Sequence, residues 1–199
     1  MTTPQDLLII ALNLPSSRDL GQGDLSLALA GAELLDLVDA GVITLEDDRL
    51  VPGAERATGD PLLDEAAASV VRQPPYETVE DWLWRRGRGL AQAYVGALEE
   101  ETPTGGGRRH WLRRRSEPAV AADSPSRRRA NDRWAAHEPV LVGLADALGI
   151  EEPSAAGATT GEPVVTVLAA VNDALTELEA VRQRRRIEDE AFDNVWRAP

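Results

Sequence analysis

The 199-residue chain has no cysteine and no lysine, and only one methionine and one phenylalanine. Without cysteine there are no disulfides, no thiolate metal ligands and no thiol nucleophile. Histidine is limited to His110 and His137, far apart in the chain, so no histidine ligand set and no cofactor are expected. Long apolar runs are missing too. The longest, Leu7 to Leu12, is closed by Asn13 and falls far short of the ~20 residues a membrane span needs. The opening Met1-Thr2-Thr3-Pro4 carries no basic run ahead of an apolar core, so no secretory leader is expected. These absences point to a soluble cytoplasmic protein. The lack of lysine leaves all 21 basic residues as arginine, which suits a GC-rich, bacterial origin. Whatever its cause, every cation in the chain stays charged at any working pH and offers a forked donor that matches phosphate.

Hydrophobic residues make up 43% and charged residues 28%, a globular composition with enough chain for one core. One domain over 1–190 is expected, followed by a polar tail at 191–199. The formal net charge is -13, and a duplex repels such a chain unless one face is segregated, so nucleic acid is not an expected partner.

The hydrophobic spacing predicts a mainly helical fold. A short helix is expected over Pro4 to Asn13, capped by Thr3. A second runs from Asp24 to Ala40, with Leu25, Leu29, Ala32, Leu35 and Val38 near helical period and Gly41 after it. From Val42 to Val51 the period changes, and Glu46-Asp47-Asp48 turns a small hairpin. Asp60 caps a third helix with Pro61 at its first position. Thr78 to about Leu98 reads as one helix weakened by Gly87 and Gly89. Pro125 to Ala136, Glu138 to Leu148 and Pro163 to Glu190 complete the set, and His110 to Arg115 reads as a strand of a second hairpin.

Against this acidic background one stretch stands out. Arg108 to Arg133 holds nine arginines and His110 against Glu117, Asp123 and Asp132. Arg127, Arg128, Arg129 and Arg133 fall at or near a helix N-terminus, where backbone N–H groups and guanidinium forks favour phosphate. Trp111 beside Arg113, Arg114 and Arg115 fits an interfacial edge. Arg18, in the loop before the second long helix, completes the candidate anion-binding set. For each, the plainer alternative is a solvated charged face, or a tryptophan packed in the core. Arg182 to Arg186 is read as i,i+4 pairing with nearby acids. Asp60, Asp64 and Glu65 have no histidine partner for acid–base work, so catalysis is not expected there.

Thr58-Gly59-Asp60-Pro61-Leu62-Leu63-Asp64-Glu65, followed by Glu77-Thr78-Val79-Glu80-Asp81-Trp82-Leu83, resembles the Golgi phosphoprotein 3 family. The likeness covers Asp6 to Leu98 well and thins from Arg108 to Ile150. It implies a single helical domain with one or two β-hairpins and no enzymatic activity. Eukaryotic members bind phosphatidylinositol 4-phosphate on Golgi membranes and act as adaptors. The resemblance therefore implies a peripheral adaptor on the inner face of a membrane, with anionic headgroups, a protein partner and self-association among its expected contacts. Counting from Gly31, the family's pocket tryptophan falls at Gly21 and its first arginine at Ala30, so both are lost. Its later basic positions, anchored on Pro118, fall on Arg127, Arg128, Arg129 and Arg133, where the charge is kept. Two other readings stay open. One is a winged-helix-like nucleic-acid-binding regulator with Val42 to Val51 as the wing, although the helix before it has no arginine and carries Asp24, Glu33, Asp36 and Asp39. The other is a purely protein-binding structural module.

Overall fold

The computed structural model describes residues 2–101, 124–150 and 161–197. Within them the order is α1 (Thr3–Asn13), α2 (Gln22–Asp39), β1 (Ile43–Glu46), β2 (Arg49–Pro52), α3 (Pro61–Ala68), α4 (Val79–Arg86), α5 (Leu90–Glu101), α6 (Pro125–Ala135), α7 (Pro139–Ala147) and α8 (Glu162–Arg197). The fold is mainly α with one antiparallel hairpin among the described residues. The second hairpin expected at His110 to Arg115 lies outside them.

The molecule is built around α2. Thirteen of its 18 residues are buried, and it touches α1, α3, α4, α5, α7, α8 and β1. A helix apolar on all sides has to sit inside others. Helix α8 runs antiparallel beside it: Val167 and Val171 lie at Gly31, Leu178 at Gly23 and Arg182 at Gly21. A Cβ on Gly31 would stand 2.5 Å from Val171 Cγ2, so glycine sets how closely the two helices approach. Helices α6 and α7 form an antiparallel pair on α1: Arg127 reaches Asn13, Arg133 reaches Asp6, and Ser17 N–H donates to the Gly149 carbonyl at 2.8 Å.

Most element starts follow local chemistry. Asp60 Oδ1 accepts from the N–H groups of Leu62 and Leu63, with Pro61 at N1. Thr78 and Asp81 form a reciprocal capping box on α4. Ser124 caps α6 through the Arg127 N–H. At α1 the expectation fails. The N-cap is Thr2, and the cap is tertiary: Asp36 on α2 accepts the Thr3 N–H at 2.8 Å.

The single helix expected from Thr78 to Leu98 is two. Helix α4 ends at Gly87, Gly89 turns at φ +72, and α5 restarts with its Ala91 N–H on Ser26 Oγ of α2. A Cβ on Gly87 would stand 3.5 Å from the Ser26 carbonyl, so the break is where the chain passes close to α2. Helix α8 outruns the expected end at Glu190 and continues to Arg197. The hairpin is not a free wing. Leu50 N–H donates to the Glu77 carbonyl and Val79 N–H to the Asp48 carbonyl, both at 2.9 Å, so residues 77–79 take its outer edge.

Substituting Gly31→Ala should destabilise the fold by about 1–3 kcal/mol through overpacking against Val171. The double variant Gly31→Ala/Val171→Ala should recover more than additivity allows. Urea unfolding of the four proteins checks this; strictly additive losses would disprove the contact.

Candidate functional site

The arginines singled out in the sequence separate once placed. Arg133 is turned inward. Its Nη1 donates to Asp6 Oδ2 at 2.6 Å, and its Nη2 donates to Glu138 Oε2 at 2.8 Å and to Thr3 Oγ1 at 3.3 Å. Glu138 in turn caps α7. One guanidinium thus ties α1, α6 and the start of α7. Arg127 is partly buried and donates to Asn13 Oδ1 at the end of α1. Arg128 and Arg129 are exposed on α6, while Ala130 on the same helix is buried in the core. Arg18 is exposed in the turn between α1 and α2. Trp111, Arg113, Arg114 and Arg115 lie outside the described residues. Arg18 and the Arg127 contact share one end of the molecule, because the start of α6 meets the end of α1 and Arg18 follows five residues after Asn13.

The same end holds an open cleft of about 700 Å³ between the α1–α2 turn and α8. Arg18, Arg182, Arg185 and Arg186 line it, with Asp19, Asp24 and Glu179. Among the described residues the hydrogen-bonded pairs made by α8's arginines run to another helix or over longer spacings than the i,i+4 pattern expected. Arg182 Nη1 reaches across to both oxygens of Asp24 on α2, at 2.8 and 2.7 Å, and Arg186 Nη2 reaches Glu179 at 2.8 Å, seven residues back. The arginine run was visible in the sequence. Its place against the two glycines at the start of α2 was not.

The Thr58–Glu65 block forms a lock. Asp64 Oδ1 accepts the Thr58 N–H at 2.7 Å and its hydroxyl at 2.8 Å, and these bonds hold the Asp64 carboxyl below its ordinary range. Asp60 caps α3 and also accepts from Gln5 at 2.8 Å. Glu65 Oε1 accepts from Arg86 Nη1 at 2.7 Å. Arg86 then grips Glu33 with two bonds, at 2.7 and 2.9 Å, and Tyr94 OH donates to the same carboxylate at 2.9 Å. Glu33 has no exposed surface. Burial pushes its carboxyl up, against the opposing pull of Arg86 and Tyr94. Burial and the Glu33 carboxylate together push the Tyr94 phenol well above its ordinary range, so it is a donor at every working pH.

Among the described residues no group of three histidines or carboxylates could hold a metal ion, and no helix is long and apolar enough to cross a membrane. The family model for Golgi phosphoprotein 3 (GPP34) matches residues 4–190. The chain belongs to the Golgi phosphoprotein 3 family. No curated protein matches it significantly. The family is not known as an enzyme family, and its proteins are linked to lipid and protein interactions.

Two outcomes follow from the buried charges. Arg86→Met should leave Glu33 buried without its cation and cost about 3–5 kcal/mol, while Glu33→Met/Arg86→Met should recover a large part of that loss. Equal losses in the single and double variants, read from denaturant midpoints, would contradict the lock. The second outcome concerns pH. Burial raises the carboxyls of Asp36 and Asp6 above their ordinary value of 3.8, against bonds from Thr3 and Arg133 respectively. The second Asp6 oxygen is buried without a hydrogen-bond partner among the described residues. A raised folded pKa means that the native state binds the proton more tightly, so stability is lost as pH rises from 3.8 through the folded value. Asp36→Asn keeps an acceptor for Thr3 but removes the ionisation. As pH rises above 3.8, its melting temperature should gain on that of the wild type; parallel pH dependences would count against the assignment.

Proposed function

We propose that this member of the family is a non-enzymatic peripheral membrane or adaptor protein whose arginine face meets anionic lipid headgroups. The observation that carries the reading is the outward exposure of Arg18, Arg128 and Arg129 on a chain of net charge -13. Family membership supports a lipid- and protein-contacting role. The absence of an apolar spanning helix among the described residues makes any membrane contact by these helices a surface one. The face proposed here is smaller than the one expected from sequence, because Arg133 is spent on Asp6, Thr3 and Glu138. Headgroup chemistry of the phosphoinositide type, and a protein partner held at the same surface, belong to this proposal.

Among the described residues the geometry does not favour the winged-helix reading. The helix before the hairpin, α2, has one exposed residue, Asp39, and so little face to lay in a groove. The hairpin edge is already paired.

Each basic residue near an anionic surface contributes only about 1 kcal/mol. Arg128→Ala/Arg129→Ala should therefore lower partitioning onto phosphatidylglycerol-containing vesicles by on the order of tenfold, and added salt should weaken the wild type in the same direction. Co-sedimentation measures this. Equal partitioning of wild type and variant at low salt would rule out the α6 face.

A further inference from the structure

Helix α8 is longer than the body it packs on. Among the described residues its last bond to another helix is Arg182 on Asp24, and the residues that follow, Gln183 to Asp189, are all exposed. The helix runs on to Arg197, about 22 Å beyond Arg182. Three positive charges open this stretch and three negative ones follow: Arg184, Arg185 and Arg186, then Glu188, Asp189 and Glu190. Ile187 sits between the two blocks. It is 66% exposed, the most exposed large hydrophobic residue among those described.

Arg184 and Glu188 lie one turn apart on the same flank of Ile187, yet neither makes an ion pair or hydrogen bond among the described residues. An arginine placed N-terminal to its acid at i,i+4 is the less favourable order on a helix, so both charges are left available. Helical spacing sets Ile187 about 160° round α8 from the buried Val167 and Val171, on the side away from α2. Ala180 and Gln183 share that side and are exposed and uncharged. Arg185 lies on the other side, where it lines the cleft.

We propose that this part of α8 pairs antiparallel with the same part of a second copy of the chain, about a two-fold axis at Ile187. The order of the charges selects the occupant. In the antiparallel pair Arg184 of one copy comes beside Glu188 of the partner subunit, about 3 Å away in height along the helices, and symmetry forms the reverse pair. The two Ile187 side chains meet at the axis and are shielded from water. A parallel pair would set arginine beside arginine and acid beside acid, and like charges side by side repel. The pairing side faces away from α2, so the two bodies sit at opposite ends of an overlap of about 30 Å and do not collide. One apolar residue and two ion pairs per dimer make a small contact, so the dimer is weak, reversible and sensitive to salt. The pairing uses neither Arg128 nor Arg129, so it stands apart from the face proposed above.

Sedimentation velocity of the full chain, over a range of concentration and salt, tests this. Wild type should show a monomer–dimer equilibrium that weakens as salt rises. Arg184→Glu and Glu188→Arg should each weaken the dimer at least about tenfold, because each sets like charges side by side. An equimolar mixture of these two variants should recover a mixed dimer, since opposite charges then face each other in both pairs. Ile187→Asp should abolish dimerisation, and Arg128→Ala/Arg129→Ala should leave it unchanged. Every altered position is exposed, and thermal melts check that each variant is folded. A wild type that stays monomeric up to its solubility limit overturns the proposal. So does a dimer indifferent to Ile187→Asp, which places the contact elsewhere. A mixture of the two charge variants that stays monomeric removes the antiparallel register and with it the proposal. A monomeric wild type whose uptake by phosphatidylglycerol vesicles falls with Ile187→Asp gives this face to a membrane surface, and likewise overturns the second copy.

Discussion

A carboxylate with no exposed surface sits on the central helix of this protein, and three other helices are arranged around satisfying it. Glu33 alone in an apolar interior would cost several kcal/mol. Arg86 from α4 supplies two bonds and Tyr94 from α5 a third. Arg86 is itself only 10% exposed, so it needs more than one acceptor, and it finds Glu65 and the Leu62 carbonyl on α3. The positions of α3, α4 and α5 relative to α2 are therefore coupled through one ion cluster. This is a physical reason for the acidic character of the Thr58–Glu65 block. Asp60 starts α3, Asp64 ties the preceding loop to it, and Glu65 completes the shell around Arg86. A motif that serves to recognise the family thus acts here as a folding device.

A second clamp uses the same chemistry on α1. Arg133 joins Asp6, Thr3 and Glu138, and so holds α6 and α7 to the first helix. Arg182 does likewise for α8 and α2. In each case one planar cation meets two or more acceptors on different elements, which an ammonium point charge serves less well. The arginines thus divide into two groups: inward clamps at Arg86, Arg133 and Arg182, and outward charges at Arg18, Arg128, Arg129 and Arg185.

That division explains what was legible in the sequence. Caps and breaks depend on residues within four positions of one another. Asp60-Pro61 and the Gly87/Gly89 pair could therefore be read directly, even though the second was taken as a weak point instead of a full break. Along α8, Val167, Val171 and Leu175 recur at helical spacing, and all three are buried. The fate of a charge is set by partners far away. Asp6 and Arg133 are 127 residues apart, Glu33 and Arg86 are 53 apart, and nothing local distinguishes Arg133 from Arg129. For the same reason the run at Arg182 to Arg186 looked like ordinary helix pairing. Its role in walling a cleft depends on Gly21 and Gly23, which read in isolation as loop residues.

An acidic protein can approach an anionic surface only if its charge is unevenly placed. A chain of this length folds to a radius of gyration of about 16 Å. Screening in physiological salt acts over about 8 Å, so a surface touching one end of the molecule responds weakly to carboxylates at the other. What matters is the local balance. At the end formed by the α1–α2 turn, the start of α6 and the middle of α8, acids are present but mostly committed: Asp24 to Arg182, Glu179 to Arg186. Internal pairing of the acids leaves outward arginines there without requiring a basic protein. The same argument limits the strength of any such contact. Among the described residues only a few arginines face outward at this end, so affinity must come from shape or from several copies acting together, and charge by itself would give only weak, salt-sensitive attraction.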